Sequence, residues 1–303
     1  MEIRTQDDER HAGAVPRWVG SSLVLASAVM FSCSGVLTKA IDAGSWTVLT
    51  WRGLIGALGI AAYVWSRNRA RPVRDTFRLG TGGWVLAAVG GVGSVTFIVA
   101  FKHTYVANVS VIYATIPFVA ALLERAVLSE PIQRRTLATA TTSLIGVVVI
   151  VSGSLGSPNL DGDAVAIAMV ALNALYMVLI RTFTDTDAPL AAAASSLLLF
   201  GAGWFAATPL DVTRRDAVLL VVFGLVFAVA TVLWTEGTKL IPAAESGLLG
   251  SAETPVAIAM AWGFLSEAPP VTSGVGAAVV LTAIIAHARA DFRRDAASGQ
   301  RLG

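Results

Sequence analysis

Two ionisable side chains lie deep in apolar stretches of this sequence, where a charged group needs a reason. Glu253 lies eleven residues after Pro242, the predicted start of its segment, which puts it about 16 Å into a membrane helix at a rise of about 1.5 Å per residue. Arg52 lies six residues beyond Trp46, or about 9 Å into another segment. Ionisable groups in hydrocarbon are costly enough to be functional candidates by default. We therefore predict that Glu253 binds a coupling proton or a substrate ammonium group, and that Arg52 binds a substrate carboxylate.

Structural explanations stay open for both residues and for a third. Glu253 can instead be a neutral carboxyl group that is hydrogen-bonded to a neighbouring helix. Arg52 can pair with a carboxyl group or with helix-end carbonyls, or it can extend to the membrane interface. Glu245 is a second predicted coupling residue, but it lies in the first turn after Pro242, where the helix dipole alone favours an acidic side chain.

Uncharged polar and aromatic side chains at mid-depth are predicted to complete a substrate cavity. Each of them can instead make a helix–helix hydrogen bond, which is worth under about 1 kcal/mol on average. Trp234 and Tyr176 have rings that can stack on an apolar substrate. The predicted substrate-binding residues, beside Glu253 and Arg52, are Ser34, Asn108, Tyr113, Asn173, Tyr176 and Trp234, with Thr115 and Thr231 at similar depth.

The sequence carries no pattern for metal, nucleophilic or nucleotide chemistry. The three histidines, His11, His103 and His287, are far apart and lack the spacing of a metal hydrolase. No glycine-rich loop ends in Lys-Ser or Lys-Thr, so no ATP-driven pump is expected. We predict no enzymatic activity, no cofactor and no metal. The single cysteine, Cys33, excludes an internal disulfide.

Composition indicates an integral membrane protein. Charged residues make up 14% of the chain and hydrophobic residues 55%, whereas soluble domains have roughly a quarter charged residues. The mean hydropathy is +0.71. The net charge is +2 and the basic residues form no stripe with aromatics, so nucleic acid is not an expected partner. Residues 1–17 are polar and of mixed charge, without the pattern of a removable signal peptide.

Ten apolar segments are long enough to cross a bilayer, which takes roughly 20 residues. A linker at 156–163 divides them into two groups of five, and polar tails occupy 1–17 and 289–303. Glycines at three-residue spacing, such as Gly53, Gly56 and Gly59, predict close helix packing. The predicted spans are 18–39, 46–65, 84–101, 106–123 and 136–155 in the first half, and 164–180, 190–208, 217–235, 243–262 and 271–288 in the second.

The two halves are related by an internal repeat. Pro117 lies within an apolar run that ends in Leu-Ser-Glu at Glu130, and Pro255 lies within another that ends in Leu-Ser-Glu at Glu267. Because five spans is an odd number, the halves must face opposite sides of the membrane. With both termini cytoplasmic, 17 Lys and Arg residues lie inside, four lie outside and Arg52 lies within a span, which accounts for all 22. We predict an all-α integral membrane protein with ten transmembrane helices in two inverted five-helix repeats.

These features together resemble the drug/metabolite transporter superfamily, specifically the ten-helix exporters built from two EamA-type repeats. The residues that carry the resemblance are Lys39 at the end of the first span, Trp51-Arg52 in the second, the segment from Pro117 to Glu130, the run 171–176 continuing to Arg181, and the segment from Pro255 to Glu267. The repeats would be 18–155 and 164–288. The resemblance implies a transporter of the cytoplasmic (inner) membrane that exports small metabolites, often amino acids.

The predicted function is therefore secondary transport by alternating access. Proton coupling is left open as part of this prediction. Side chains of both charge signs, Glu253 and Arg52, would suit an amino acid or a similar zwitterion. A passive channel or facilitator is the main alternative, although no pore-lining ring or filter is visible in the sequence. A membrane-embedded enzyme is a further alternative. The expected partners are a small-molecule substrate and the lipid bilayer, with the monomer as the expected state.

Overall fold

The computed structural model is helical throughout the residues that it describes, and no strand occurs among them. Among the described residues, seven stretches are long and apolar enough to cross a membrane. They correspond to the predicted spans one to four and six to eight, which confirms a helical multi-pass membrane protein. The described residues are 17–70, 72–128, 138, 141–142, 144–146, 148–149, 152, 159–183, 185–206, 208–240, 246, 249–250, 252–266, 271–272, 274–279, 281–282 and 285–286.

The described helices occur in the following order along the chain. In the predicted first half they are α1 (Arg17–Ala40), α2 (Ser45–Arg67), the single turn α3 (Val73–Thr76), α4 (Thr81–His103), α5 (Val106–Tyr113) and α6 (Ile116–Leu128). In the predicted second half they are α7 (Leu160–Thr182), α8 (Ala188–Ala206), α9 (Arg214–Leu240) and α10 (Glu253–Leu265).

Several sequence predictions fall on residues outside this description. The predicted fifth and tenth spans, 136–155 and 271–288, are described only at isolated positions, so the number of ten spans stays a prediction. The polar tails predicted at 1–17 and 289–303 also lie outside the described residues, apart from Arg17. Glu130, Glu245 and Glu267 lie outside them as well. The linker predicted at 156–163 is shorter than expected, because α7 already begins at Leu160. Asp161 and Asp163 in the first turn of α7 suit the positive end of a helix dipole.

The predicted fourth and ninth spans are interrupted helices, whereas the sequence was interpreted as one continuous helix in each. Ala114 and Thr115 form a turn between α5 and α6. In the ninth span, residues 249–250 are helical, Ala252 lies in a turn and α10 begins at Glu253. The reason lies in Pro117 and Pro255, since a proline lacks an N–H and its ring crowds the carbonyl four residues earlier. The helix therefore restarts just before each proline.

The helices pack in a defined set of pairs. α1 lies along α9, α4 lies along α7, and α2 packs on both α8 and α9. α10 packs on α1 and α5, while α6 packs on α7. Two buried apolar clusters join these pairs, one around Phe223, Leu49 and Ile98 and the other around Met169 and Val109. In a membrane such contacts stabilise by van der Waals packing, because lipid tails are as apolar as the side chains.

Glycines of α2 allow close contacts between helices, as their spacing predicted. A Cβ atom on Gly53 would lie 2.6 Å from the backbone oxygen of Ser196 in α8. A Cβ atom on Gly59 would lie 2.7 Å from the Cβ of Ala228 in α9. Neither position has room for a larger residue without a shift of the helices. The stripe of small residues thus fixes α2 against the predicted second half.

Charged residues join the predicted halves at both ends of the bundle. At one end Arg67 of α2 donates to Asp187 and to Glu236, and Lys239 donates to Glu236 at 3.2 Å. Glu236 and Lys239 are three residues apart on one helix, where such pairs form locally, whereas Arg67 and Glu236 are 169 residues apart. At the other end the backbone N–H of residue 42 donates to Asp216 at 3.2 Å, and the Asp42 carboxyl lies 3.5 Å from Arg215.

Candidate substrate cavity

A cavity of about 180 Å³ lies in the middle of the bundle. Its walls come from α1, α2, α4, α5, α7, α8 and α9, and from the residues around the break before α10. Most of the lining is apolar or aromatic, with a few polar groups at defined points. That composition is typical of a small-molecule site, in which apolar walls provide area and a few polar groups fix the orientation of the ligand.

The structure brings most of the predicted site residues to this one cavity. The exceptions are Asn108, Glu245 and Thr115, of which Glu245 lies outside the described residues. The predicted residues that line the cavity are Ser34, Arg52, Tyr113, Asn173, Tyr176, Thr231, Trp234 and Glu253.

Asn108 lies elsewhere, so its predicted place in the cavity was wrong. Its side-chain nitrogen donates to both carboxylate oxygens of Asp163, each at 3.1 Å. Thr104 donates to the same carboxylate at 2.7 Å. Asp163 is fully buried at the start of α7, so the three residues fasten α7 to the α4–α5 connection. The sequence could not indicate this, because Asn108 and Asp163 are 55 residues apart.

Glu253 is the first residue of α10, not a residue inside a continuous helix as predicted. It is 8% exposed and lines the cavity. The Ser32 hydroxyl of α1 donates to the Glu253 backbone carbonyl at 3.1 Å. The hydroxyl of the next residue, Thr254, donates to the Ser110 carbonyl of α5 at 3.0 Å. The helix dipole favours an acidic side chain at this end. Within the described part of the chain, no hydrogen bond or ion pair joins its carboxyl group to a basic residue.

Arg52 is buried, with 3% exposure, so it does not extend to the membrane interface. Its guanidinium carbon lies 4.3 Å from the ring centre of Phe227 and 5.5 Å from that of Phe223. No carboxylate pairs with it among the described residues, and its Nε atom is buried without a hydrogen-bond partner. Cation–π contacts therefore hold this charge, and the buried Nε–H group has no acceptor among the described residues.

Two further polar residues present unused hydrogen-bonding capacity. The Ser34 hydroxyl is buried and has no partner within the described residues. Asn173 donates its side-chain N–H to the Met169 carbonyl of its own helix at 2.9 Å, which leaves the amide oxygen available. An unsatisfied buried polar group costs free energy, so both residues are suited to a polar ligand.

The aromatic walls include residues that sequence reasoning missed. Phe31, Phe97 and Phe227 line the cavity beside the predicted Tyr113 and Tyr176. A signal was present in α9, because Phe223, Phe227 and Thr231 recur at four-residue spacing and so share one helix face. Ser195 and Ser196 of α8 also line the cavity, and nothing in their local sequence distinguishes them from packing serines.

A bundle of apolar helices around one partly polar central cavity defines a helical membrane protein that can hold a small solute. The model of the EamA-like transporter family matches residues 18–152, the stretch that contains α1 to α6. Residues 18–152 form an EamA-like transporter family domain, which fits the drug/metabolite transporter superfamily.

The fold has a counterpart among solved structures. One of them, described only as the crystal structure of a protein, is similar with a TM-score of 0.67 at 17% sequence identity. The alignment covers 89% of this chain and 96% of that chain. At this identity the likeness shows the fold alone. No curated protein sequence matches the chain.

Proposed function

We propose that this protein is a transporter that exports small metabolites across the cytoplasmic membrane by alternating access, and that its substrates are amino acids or similar zwitterions. The observation that carries the proposal is the central cavity, whose walls come from helices of both predicted halves. In inverted-repeat transporters the substrate site lies where the halves meet, near discontinuous helices. Here the interrupted helices α5–α6 and α10 both border the cavity.

The helix pairing supports two inverted repeats. If the first four spans correspond in order to spans six to nine, then exchanging the halves turns the α1–α9 contact into the α7–α4 contact, and both are present. The same exchange maps the α2–α8 contact onto itself, and likewise the contact of α5 with α10. The matched prolines 117 and 255 agree with this correspondence. The distribution of basic residues supports cytoplasmic termini.

The charges in the cavity support a zwitterionic substrate. Arg52 and Glu253 line the same cavity, so a substrate with a carboxylate and an ammonium group would meet an opposite charge for each. The surrounding aromatic and aliphatic side chains suit an apolar substrate side chain. Proton coupling fits the same site, since a buried carboxylate without a cationic partner is costly, and a proton or a substrate ammonium can relieve that cost in alternate steps.

Counterflow in proteoliposomes with a panel of radiolabelled amino acids tests this function. The experiment compares the intact protein with Glu253→Gln, at equal pH and under an imposed proton gradient. Asp75→Asn is the matched control, because Asp75 is an exposed carboxylate in the short helix α3. We expect saturable exchange that is lost in Glu253→Gln and retained in Asp75→Asn. Flux without saturation or exchange would favour a channel, and equal activity of all three proteins would exclude Glu253 from transport.

A further inference from the structure

We infer that Arg52 forms the carboxylate-binding end of the cavity, so that a carboxylate is the group a substrate must carry. The inference rests on the proposed transport function and names the chemical class that the site selects. It predicts that amino acids and other carboxylates bind, whereas amides and amines of the same shape do not.

The first step is that Arg52 lacks the partners that a structural arginine has. A buried guanidinium is normally paired with a carboxylate, since an unpaired charge in a low-dielectric interior is expensive. Arg67, on the same helix, has two such partners in Asp187 and Glu236. Arg52 has none among the described residues although it is 97% buried, being 3% exposed. We therefore expect an anionic ligand in the cavity that Arg52 lines to balance its charge.

The aromatic rings beside Arg52 limit the directions from which an anion can approach its guanidinium. Phe227 and Phe223 lie against the guanidinium at 4.3 Å and 5.5 Å, and their rings offer no hydrogen-bond acceptor atom. The Nε atom remains without a partner, and an arginine can present Nε and one terminal nitrogen together as a fork to a carboxylate. The aromatic contacts thus hold the group in place without supplying the anion that would balance its charge.

The third step is that a second unpaired donor lines the same cavity. The Ser34 hydroxyl, 1% exposed, has no partner among the described residues. A carboxylate accepts about four hydrogen bonds, so it has capacity for a hydroxyl donor in addition to a guanidinium. A neutral amide oxygen can accept from the same donors but brings no charge to balance the guanidinium. Selectivity for the carboxylate follows from that charge.

Chemical modification tests the subsite without any need for translocation. The purified protein is treated with 2,3-butanedione, an arginine reagent, and the modified positions are mapped by mass spectrometry. The probes are L-leucine, L-leucinamide and 4-methylpentanoate, which keep one side chain and vary the charged groups. We expect leucine and 4-methylpentanoate to slow the modification of Arg52, and leucinamide to leave it unchanged. Arg67 is the internal control and its modification should not depend on any probe.

Three outcomes would overturn the inference. The first is that Arg52 does not react in the absence of ligand. The second is that no carboxylate changes the rate at which butanedione modifies Arg52. The third is that leucinamide protects Arg52 as well as leucine does. The transport proposal is tested by counterflow, so the two can fail separately: a protein that exchanges solutes while Arg52 is never protected keeps the function and loses the subsite.

Variants of Arg52 provide a second, independent readout. Arg52→Gln should weaken leucine binding by roughly 10- to 100-fold, as expected for a lost charged hydrogen-bonded contact, without the same loss for leucinamide. Arg52→Lys keeps the charge but not the fork, so it should restore part of the preference. Binding is measured by ligand-induced thermal stabilisation of the purified proteins. An equal loss for leucine and leucinamide would indicate a purely structural role.

Discussion

Replacing Gly53 by alanine should destabilise the protein, although alanine is the better helix former. The added Cβ would lie 2.6 Å from the Ser196 backbone oxygen, where ordinary contact begins at 3.4 Å. The helices α2 and α8 would have to separate by the difference, about 0.8 Å, which is the scale of overpacking that costs about 1–3 kcal/mol. The helix propensity of alanine offsets at most about 1 kcal/mol of this. A net loss of stability is therefore expected.

Gly201→Ala is the matched control for this prediction. Gly201 also lies in a predicted span, in α8, but a Cβ placed there meets nothing within 4 Å. It should leave the stability unchanged or raise it by up to about 1 kcal/mol. Thermal unfolding of the purified proteins, followed by tryptophan fluorescence, measures both effects. If Gly53→Ala unfolds at or above the temperature of Gly201→Ala, then close packing of α2 does not hold the bundle together as argued.

Three other substitutions test separate parts of the structure. Gly250→Ala would place a Cβ 3.1 Å from the Trp234 ring, so it should shift that ring into the cavity and weaken exchange of bulky solutes more than of small ones in counterflow competition. Arg67→Gln removes the partner of two carboxylates; because Arg67 is 31% exposed, the expected cost is only about 1 kcal/mol, reduced by salt in thermal unfolding. Asn108→Ala should lower the unfolding temperature while the KM of exchange stays unchanged, because Asn108 serves Asp163 and not the cavity.

Each of these outcomes can be contradicted by the same assay. Equal inhibition of small and bulky solutes by Gly250→Ala would show that the Trp234 ring does not border the transport path. If the Arg67→Gln variant unfolds at the wild-type temperature at low salt, then the ion pairs of Arg67 do not contribute to the stability of the bundle. A raised KM in Asn108→Ala, with unchanged stability, would show that Asn108 contributes to substrate binding.

The sequence was sufficient to predict the seven membrane-length helices found among the described residues, because a span is a local property of about 20 residues. It did not predict the breaks, although Pro117 and Pro255 account for them, since a proline interrupts helical hydrogen bonding. A regular rise counted from Pro242 put Glu253 inside a helix, whereas α10 begins at Glu253.

The composition of the cavity depended on contacts between distant segments. Depth alone identified Arg52 and Glu253, but their meeting in one cavity follows from the packing of α2 on α9 and of α10 on α1. Depth alone also suggested Asn108, whose buried partner Asp163 belongs to another helix. Polar residues at equal depth cannot be divided into ligand-binding and structural groups until their partners are known.

The most direct test of the central claim is to fill the cavity and measure exchange. Gly93 lines the cavity, and a Cβ there would meet its nearest neighbour, the Asn173 side-chain nitrogen, at 3.7 Å, which is ordinary contact. Gly93→Leu should therefore fold and occupy the site, whereas Gly201→Leu adds the same side chain away from it. Counterflow of the most active amino acid should be lost in Gly93→Leu and retained in Gly201→Leu. Full exchange by a folded Gly93→Leu protein would contradict transport through this cavity.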